Sequence, residues 1–222
     1  MHNRTMIGGV GVFSLILASA MAAEPAGGLP IHEDIVSPDP AKPMSAARQA
    51  FIDVDVPTSS AQIRKAAHAL RDTASSATEG TRDALHQAAT ELESLGRRVE
   101  NRGAESVAEL DRVFARAFHA LARHHQEMAL KHWRDGDPQQ AGHRLRAAAD
   151  SLESVAAASG QRLNDAGREV VRESRVVSGK LIRGTGYAVD EVGRAFEGLG
   201  KQVESLGDRV ATRNPAPIVL PK

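Results

Sequence analysis

"GYAVDEVGRAFEGLGKQVESLGDRV", residues 186–210, is the stretch that decides the fold. Val189, Val192, Phe196, Leu199, Val203, Leu206 and Val210 recur in steps of three and four, the spacing of a helical apolar stripe and of a coiled-coil seam. Against that stripe stands a glycine at each seventh residue, Gly186, Gly193, Gly200 and Gly207, with Gly179 extending the series backwards. Glycine in a helix interior costs about 1 kcal/mol relative to alanine. Two readings account for so regular a cost: the missing Cβ lets a neighbouring helix come close to the edge of the seam, or the glycines merely soften an exposed face.

The same periodicity extends upstream. Ile63, Ala67, Leu70, Ala74, Ala77, Thr81, Ala84, Ala88, Leu92, Leu95 and Val99 form one narrow stripe that predicts a long helix after Pro57, with Thr58, Ser59 and Ser60 as its candidate caps. "NRG" at 101–103 weakens the pattern, which resumes at Val107, Leu110, Phe114, Ala117, Leu121 and Met128, so residues 60–135 read as one bent helix or as two. The clearest stop is "RDGDP" at 134–138. Gly136 suits a left-handed helix C-terminus, Asp137 suits a cap, and Pro138 suits a first turn. A further stripe runs from Ala141 to Leu181 with weak points at Gly160 and at residues 183–186. No window alternates with period two between hairpin turns, so the expected class is all-α: an elongated bundle or coiled-coil hairpin of long amphipathic helices over residues 58–213. Pro215 and Pro217 end it, leaving 214–222 as a disordered tail.

Outside that body the chain opens "MHNRTMIGGVGVFSLILASAMAAEPAGG", with Arg4 ahead of an apolar run and small residues at Ala18, Ala20, Ala22 and Ala23. This is the layout of a cleavable secretory signal peptide, residues 1–23, and it predicts a periplasmic or secreted protein. The apolar run falls short of the roughly 18–20 residues of a membrane span, so no transmembrane anchor is expected in the mature chain. Residues 24–57 read as a proline- and glycine-rich tether, to about residue 45, and then a strap around Phe51, Ile52, Val54 and Val56 that is either a short helix or extended. Absence of cysteine removes disulfides, thiolate ligands and cysteine nucleophiles together. The 28 basic and 28 acidic residues balance without long runs of one sign, which argues against nucleic acid as a partner.

One short internal echo links two parts of the body: "ELESLGRRVENR" at 91–102 and "QVESLGDRVATR" at 202–213 share seven positions, among them Leu95/Leu206, Gly96/Gly207 and Val99/Val210. Residues 122–155 resemble a single helical hairpin of the tetratricopeptide type. Ala129, the turn at Gly136 and Asp137, then Ala141, Leu145 and Ala148 match the small and large positions where the two helices of such a repeat meet. The resemblance covers one unit, and it implies a hairpin rather than a peptide-binding solenoid.

Chemistry concentrates in that hairpin. Five of the nine histidines lie between His119 and His143. On a helix His124, Met128 and His132 share one face, and the turn at Gly136 returns His143 towards it, so these four are the candidate ligands for Cu or Zn. Against that, His125, Met128 and His132 also fall on the hairpin's inner face, where ordinary packing explains them. No G-x-S-x-G, phosphate loop or H-E-x-x-H motif occurs, so the expectation is a non-enzymatic protein. Its expected role is that of an exported structural or protein-interaction protein of the cell envelope, associating with a partner or with itself through the seam at 189–210. The alternative is a periplasmic ligand binder, with metal at the histidines or peripheral lipid along the amphipathic helices.

Overall fold

In a computed structural model the described residues, 39–101 and 106–212, form seven α-helices and no strand. These are α1 (Ala41–Ile52), α2 (Val56–Ser75), α3 (Glu79–Glu100), α4 (Val107–Arg134), α5 (Pro138–Ala158), α6 (Asp165–Arg183) and α7 (Val189–Thr212). The expected all-α class holds. The signal peptide, most of the tether and the tail at 214–222 lie outside the described residues.

Most helix ends follow from local sequence. Asp55 accepts a hydrogen bond from Thr58 N–H at 3.1 Å and caps α2, Asp137 accepts from Gln140 N–H at 3.0 Å and caps α5, and Asn164 accepts from Gly167 N–H at 2.8 Å and caps α6. Three helices close through a left-handed glycine, Gly136, Gly160 and Gly184, each followed by a residue whose N–H reaches back five positions to the last turn. At α1 the same closure is made by Val54, at φ 60°, with Asp55 N–H on the Ala50 carbonyl at 2.8 Å. A β-branched residue in that conformation is strained, and Val54 has no burial to offset it, being 81% exposed.

Three boundaries differ from the sequence reading. The strap is the helix α1, seated by the buried Met44 and Ala47, so the helical body begins at Ala41 and not at residue 58. Its partner contact explains Ser59, which caps nothing and instead donates to the Ala47 carbonyl at 3.0 Å from a buried position. The stripe from Ile63 to Val99 is two helices, broken at Ser76–Thr78. The hydroxyls of Ser75 and Ser76 bond back to the Asp72 and Thr73 carbonyls, giving the backbone local alternatives to the helical ladder where no Gly or Pro marks the turn. Thr78 begins α3 in an extended conformation without a side-chain cap of its own. Its hydroxyl donates to the carboxylate of Glu127 on α4, which lies so close that a Cβ on Gly80 would sit 3.3 Å from either oxygen. A negative charge from another helix thus serves the positive end of α3. Finally, α3 ends at Glu100 and α4 begins at Val107, so residues 60–135 hold three helices.

Helix α4 is the hub, packing against α1, α3, α5 and α7, while α2 pairs with α3 and α6 with α5 and α7. Alanine fills much of the interior, including Ala66, Ala67, Ala89, Ala122, Ala148 and Ala149, all at 0% exposure. Such a core requires close helices, and the glycines show where the approach is tightest. A Cβ on Gly142 of α5 would stand 2.8 Å from the Ser178 carbonyl oxygen of α6 and 2.9 Å from Leu181 Cβ. Ion pairs then tie neighbouring helices at the surface: Arg48–Asp111 at 2.7 Å for α1–α4, Arg116–Glu91 at 2.5 Å for α3–α4, Arg175–Asp150 at 2.6 Å for α5–α6, and Lys180–Glu191 at 2.5 Å for α6–α7. Partly exposed pairs of this kind contribute at most about 1 kcal/mol each, so packing carries the fold.

Candidate functional site

The turn at Gly136 joins α4 and α5, which pack against each other, and the five histidines distribute over the pair unequally. His124 is 2% exposed and His125 half-buried, their ring centroids 5.3 Å apart and tilted by 55°. Both Nδ1 atoms are buried without a hydrogen-bond partner. Burial, reinforced by the positive charge of Arg144 on α5, lowers the His124 imidazole to a pKa of about 4. Burial, then His124 and Arg144, lower His125 to about 3. Both rings are therefore neutral at physiological pH, the protonation state in which imidazole ligates metals.

The other candidate ligands stand apart in character. Met128 and His132 are half-buried, and His143 is exposed. Among the described residues no three His, Asp or Glu side chains are gathered closely enough to hold a metal ion. The structure brings the rings of His124 and His125 together. His125 was legible in the sequence only as a residue of the hairpin's inner face.

His119 marks a different arrangement, the seat of α7. Its Nε2 lies 3.1 Å from the carbonyl oxygen of Val203, and a Cβ on Gly207 would fall 2.7 Å from its Cε1. One heptad along each helix in opposite senses, Gln126 of α4 meets Gly200 of α7, where a Cβ would stand 2.5 Å from its amide nitrogen. Two of the five heptad glycines thus admit polar side chains of α4, so the close-approach reading applies to Gly200 and Gly207. Gly193 is exposed with nothing within 4 Å of a Cβ, which is the exposed-face reading, and Gly186 takes φ 77° in the turn before α7. Burial depresses the His119 pKa, and the Arg123 charge adds to this, while the bond to Val203 and the charge of Asp208 act the other way. The seam itself is buried within the chain, from Val192 and Leu199 at 0% to Val210 at 6%, and only Val189 at 68% stays outside. At its N-terminal end Trp133 of α4 meets Tyr187 edge-on at 5.8 Å and Phe196 at 6.5 Å.

A shallow groove of about 210 Å³ runs beside this seat between α3, α4 and α7, floored by Ala84, Ala88, Ala120 and Val210 and edged by Arg116 and Arg123. Its charges are already engaged, Arg116 with Glu91 and Arg123 with Glu127. No described helix is long and apolar enough to cross a membrane. Comparison with protein-family models, curated proteins and solved structures finds no match to this chain, so its reading rests on its own residues.

Proposed function

We propose that this chain is an exported, non-enzymatic helical protein of the cell envelope that acts as a structural or protein-interaction element. The observation that carries the reading is the N-terminal layout "SLILASAMAAEPA" joined to a cysteine-free helical body. Several described polar side chains support the second half of the reading: Asp55 caps a helix, Arg48 and Asp111 join two helices, and His124 sits buried in the packing. Periplasmic or secreted chains that lack disulfides rely on packing and association for their persistence, and this body invests in packing throughout.

The test is expression of the full chain in a Gram-negative host, followed by fractionation and intact-mass analysis. A periplasmic or extracellular product with a new N-terminus between Met21 and Glu24 supports the proposal. A cytoplasmic product that retains residues 1–23 overturns it.

A further inference from the structure

The heptad that runs through α7 does not start there. Glycine recurs every seventh residue from Gly179 inside α6, across the turn at Gly186, to Gly207 near the end of α7. The buried positions do the same. Ser174, Ser178 and Leu181 of α6 step by four and three, and Val192, Ala195 and Leu199 of α7 continue the alternation if Thr185 and Ala188 fill the two places between. A turn between two helices has no reason to conserve helical phase, because the second helix finds its own rotation when it docks. An unbroken phase is what a single helix needs. Nothing in Gly184-Thr185-Gly186-Tyr187-Ala188 forbids one, since the segment holds no proline.

We propose that α6 and α7 straighten into one helix from 165 to 212, and that two copies of the chain then exchange α7 reciprocally. The inference names the partner that the interaction reading leaves open, a second copy, and in that sense rests on it. The main helix contacts of α7 are to α4, α5 and α6, and each is remade on the second copy's α4, α5 and α6. The seat fits this helix specifically, because Gly207 and Gly200 lie in register with His119 and Gln126. Only the turn changes. The folded-back form keeps the left-handed Gly184, the Lys180–Glu191 pair at 2.5 Å and the Trp133–Tyr187 contact, and it spares Gly184 and Gly186 from helical positions. Exchange is accordingly favoured by concentration and resisted by the turn.

Two variants move the balance in opposite directions. Gly184→Ala with Gly186→Ala places side chains at φ 70° and φ 77° in the turn while favouring the straight helix, and should raise the dimer share about tenfold or more at a fixed concentration. Val189→Pro suits the first position of α7 in the folded-back form but breaks a continuous helix, and should leave a folded monomer. Light scattering after size exclusion reads the mass of each, and circular dichroism confirms that each is folded. Exchange itself is read by Gln126→Cys with Gly200→Cys, a pair that faces across the seat in an otherwise cysteine-free chain, treated with a short bis-maleimide. Covalent dimers from the dimer fraction and internally linked monomers from the monomer fraction support the proposal. A dimer that links only internally, a dimer that survives Val189→Pro, or monomer alone in every variant overturns the exchange; the first two leave association standing, and the export test above reads the wider proposal separately.

Discussion

Lowering the pH from about 8 to about 5 should destabilise this protein through two imidazoles well before its carboxylates respond. His124 and His125 have folded-state pKa values of about 4 and about 3, whereas a histidine in the unfolded chain titrates near 6.5. Because the folded values are depressed, the unfolded state binds more protons throughout the interval between them. Stability is fully present above ~6.5 and is lost as pH falls towards the folded values. At pH ~5 each unfolded imidazole gains about 2 kcal/mol from protonation that its folded counterpart does not share, so the pair removes about 4 kcal/mol. That is a large part of the 5–15 kcal/mol typical of a domain. His119 acts with the same sign. Glu93, depressed by Arg71, and Glu191, depressed by Lys180, lose their contribution only as pH falls below the ordinary carboxylate range, so the window above ~5 belongs to the histidines. Urea unfolding followed by far-ultraviolet circular dichroism at a series of pH values reads the effect directly. With a urea slope of about 1–3 kcal/mol per molar, the midpoint should fall by roughly 1.3–4 M. His124→Gln with His125→Gln should unfold more easily at pH ~8 yet lose most of the pH dependence. A midpoint that is flat between pH ~8 and ~5, or a dependence that the double variant retains, would refute the reasoning.

Three further outcomes follow from particular contacts. Val54→Gly should stabilise the fold by about 0.5–1 kcal/mol, the relief of a left-handed β-branched residue less the entropy glycine adds to the unfolded chain, and a thermal melt should show a rise of a few degrees. Alanine at the glycines should sort by surroundings: Gly142→Ala, against the Ser178 carbonyl and Leu181 Cβ, should cost about 1–3 kcal/mol, whereas Gly193→Ala, with nothing near, should gain up to about 1 kcal/mol by chemical denaturation. For metal, melts of chelator-treated protein with Cu(II), Cu(I) or Zn(II) should shift upwards if His124, Met128, His132 and His143 hold an ion, by about 2.7 kcal/mol at a hundredfold excess over the dissociation constant. No shift, or one unchanged in His124→Ala with His132→Ala, would assign these residues to packing.

What the sequence conveyed and what it withheld divide along a physical line. Period alone identifies helices because burial of one face is a property of single residues in order, and the stripes from Ile63 to Val210 are helical in the structure apart from the breaks between helices. Turns made by a residue with a special backbone preference were legible too, as Gly136, Asp137 and Pro138 show. The turn at 76–78 was not, because its cause is distributed: weak local competition from Ser75 and Ser76 is joined by Glu127, 49 positions from Thr78, whose carboxylate accepts from the Thr78 hydroxyl at the positive end of α3. Histidines gave the same lesson in reverse. Spacing proposes a shared face for His124, Met128 and His132, and the structure adds neighbours of His124 that spacing could not give, the tilted ring of His125 and the charge of Arg144 on α5.

The glycine series shows why one sequence feature resisted one explanation. Had all five glycines served close packing, each would have faced a side chain; had all served an exposed face, none would. Instead Gly200 and Gly207 admit Gln126 and His119, Gly186 turns the chain, and Gly193 meets nothing. Local need accounts for three of these four, and it leaves the regular interval unexplained, since helices that dock separately do not have to agree in phase. A single helix does have to agree, because its residues share one axis at about 100° apiece. Gly193, idle in the folded-back form, and the phase-keeping Thr185 and Ala188, exposed there, are the positions at which the two forms make different demands. Substitutions confined to Thr185 and Ala188 should therefore leave the monomer's stability nearly unchanged while altering the dimer share, and leucine at both should favour the dimer. Equal effects on monomer and dimer would show that the interval reflects composition and not a second arrangement of the chain.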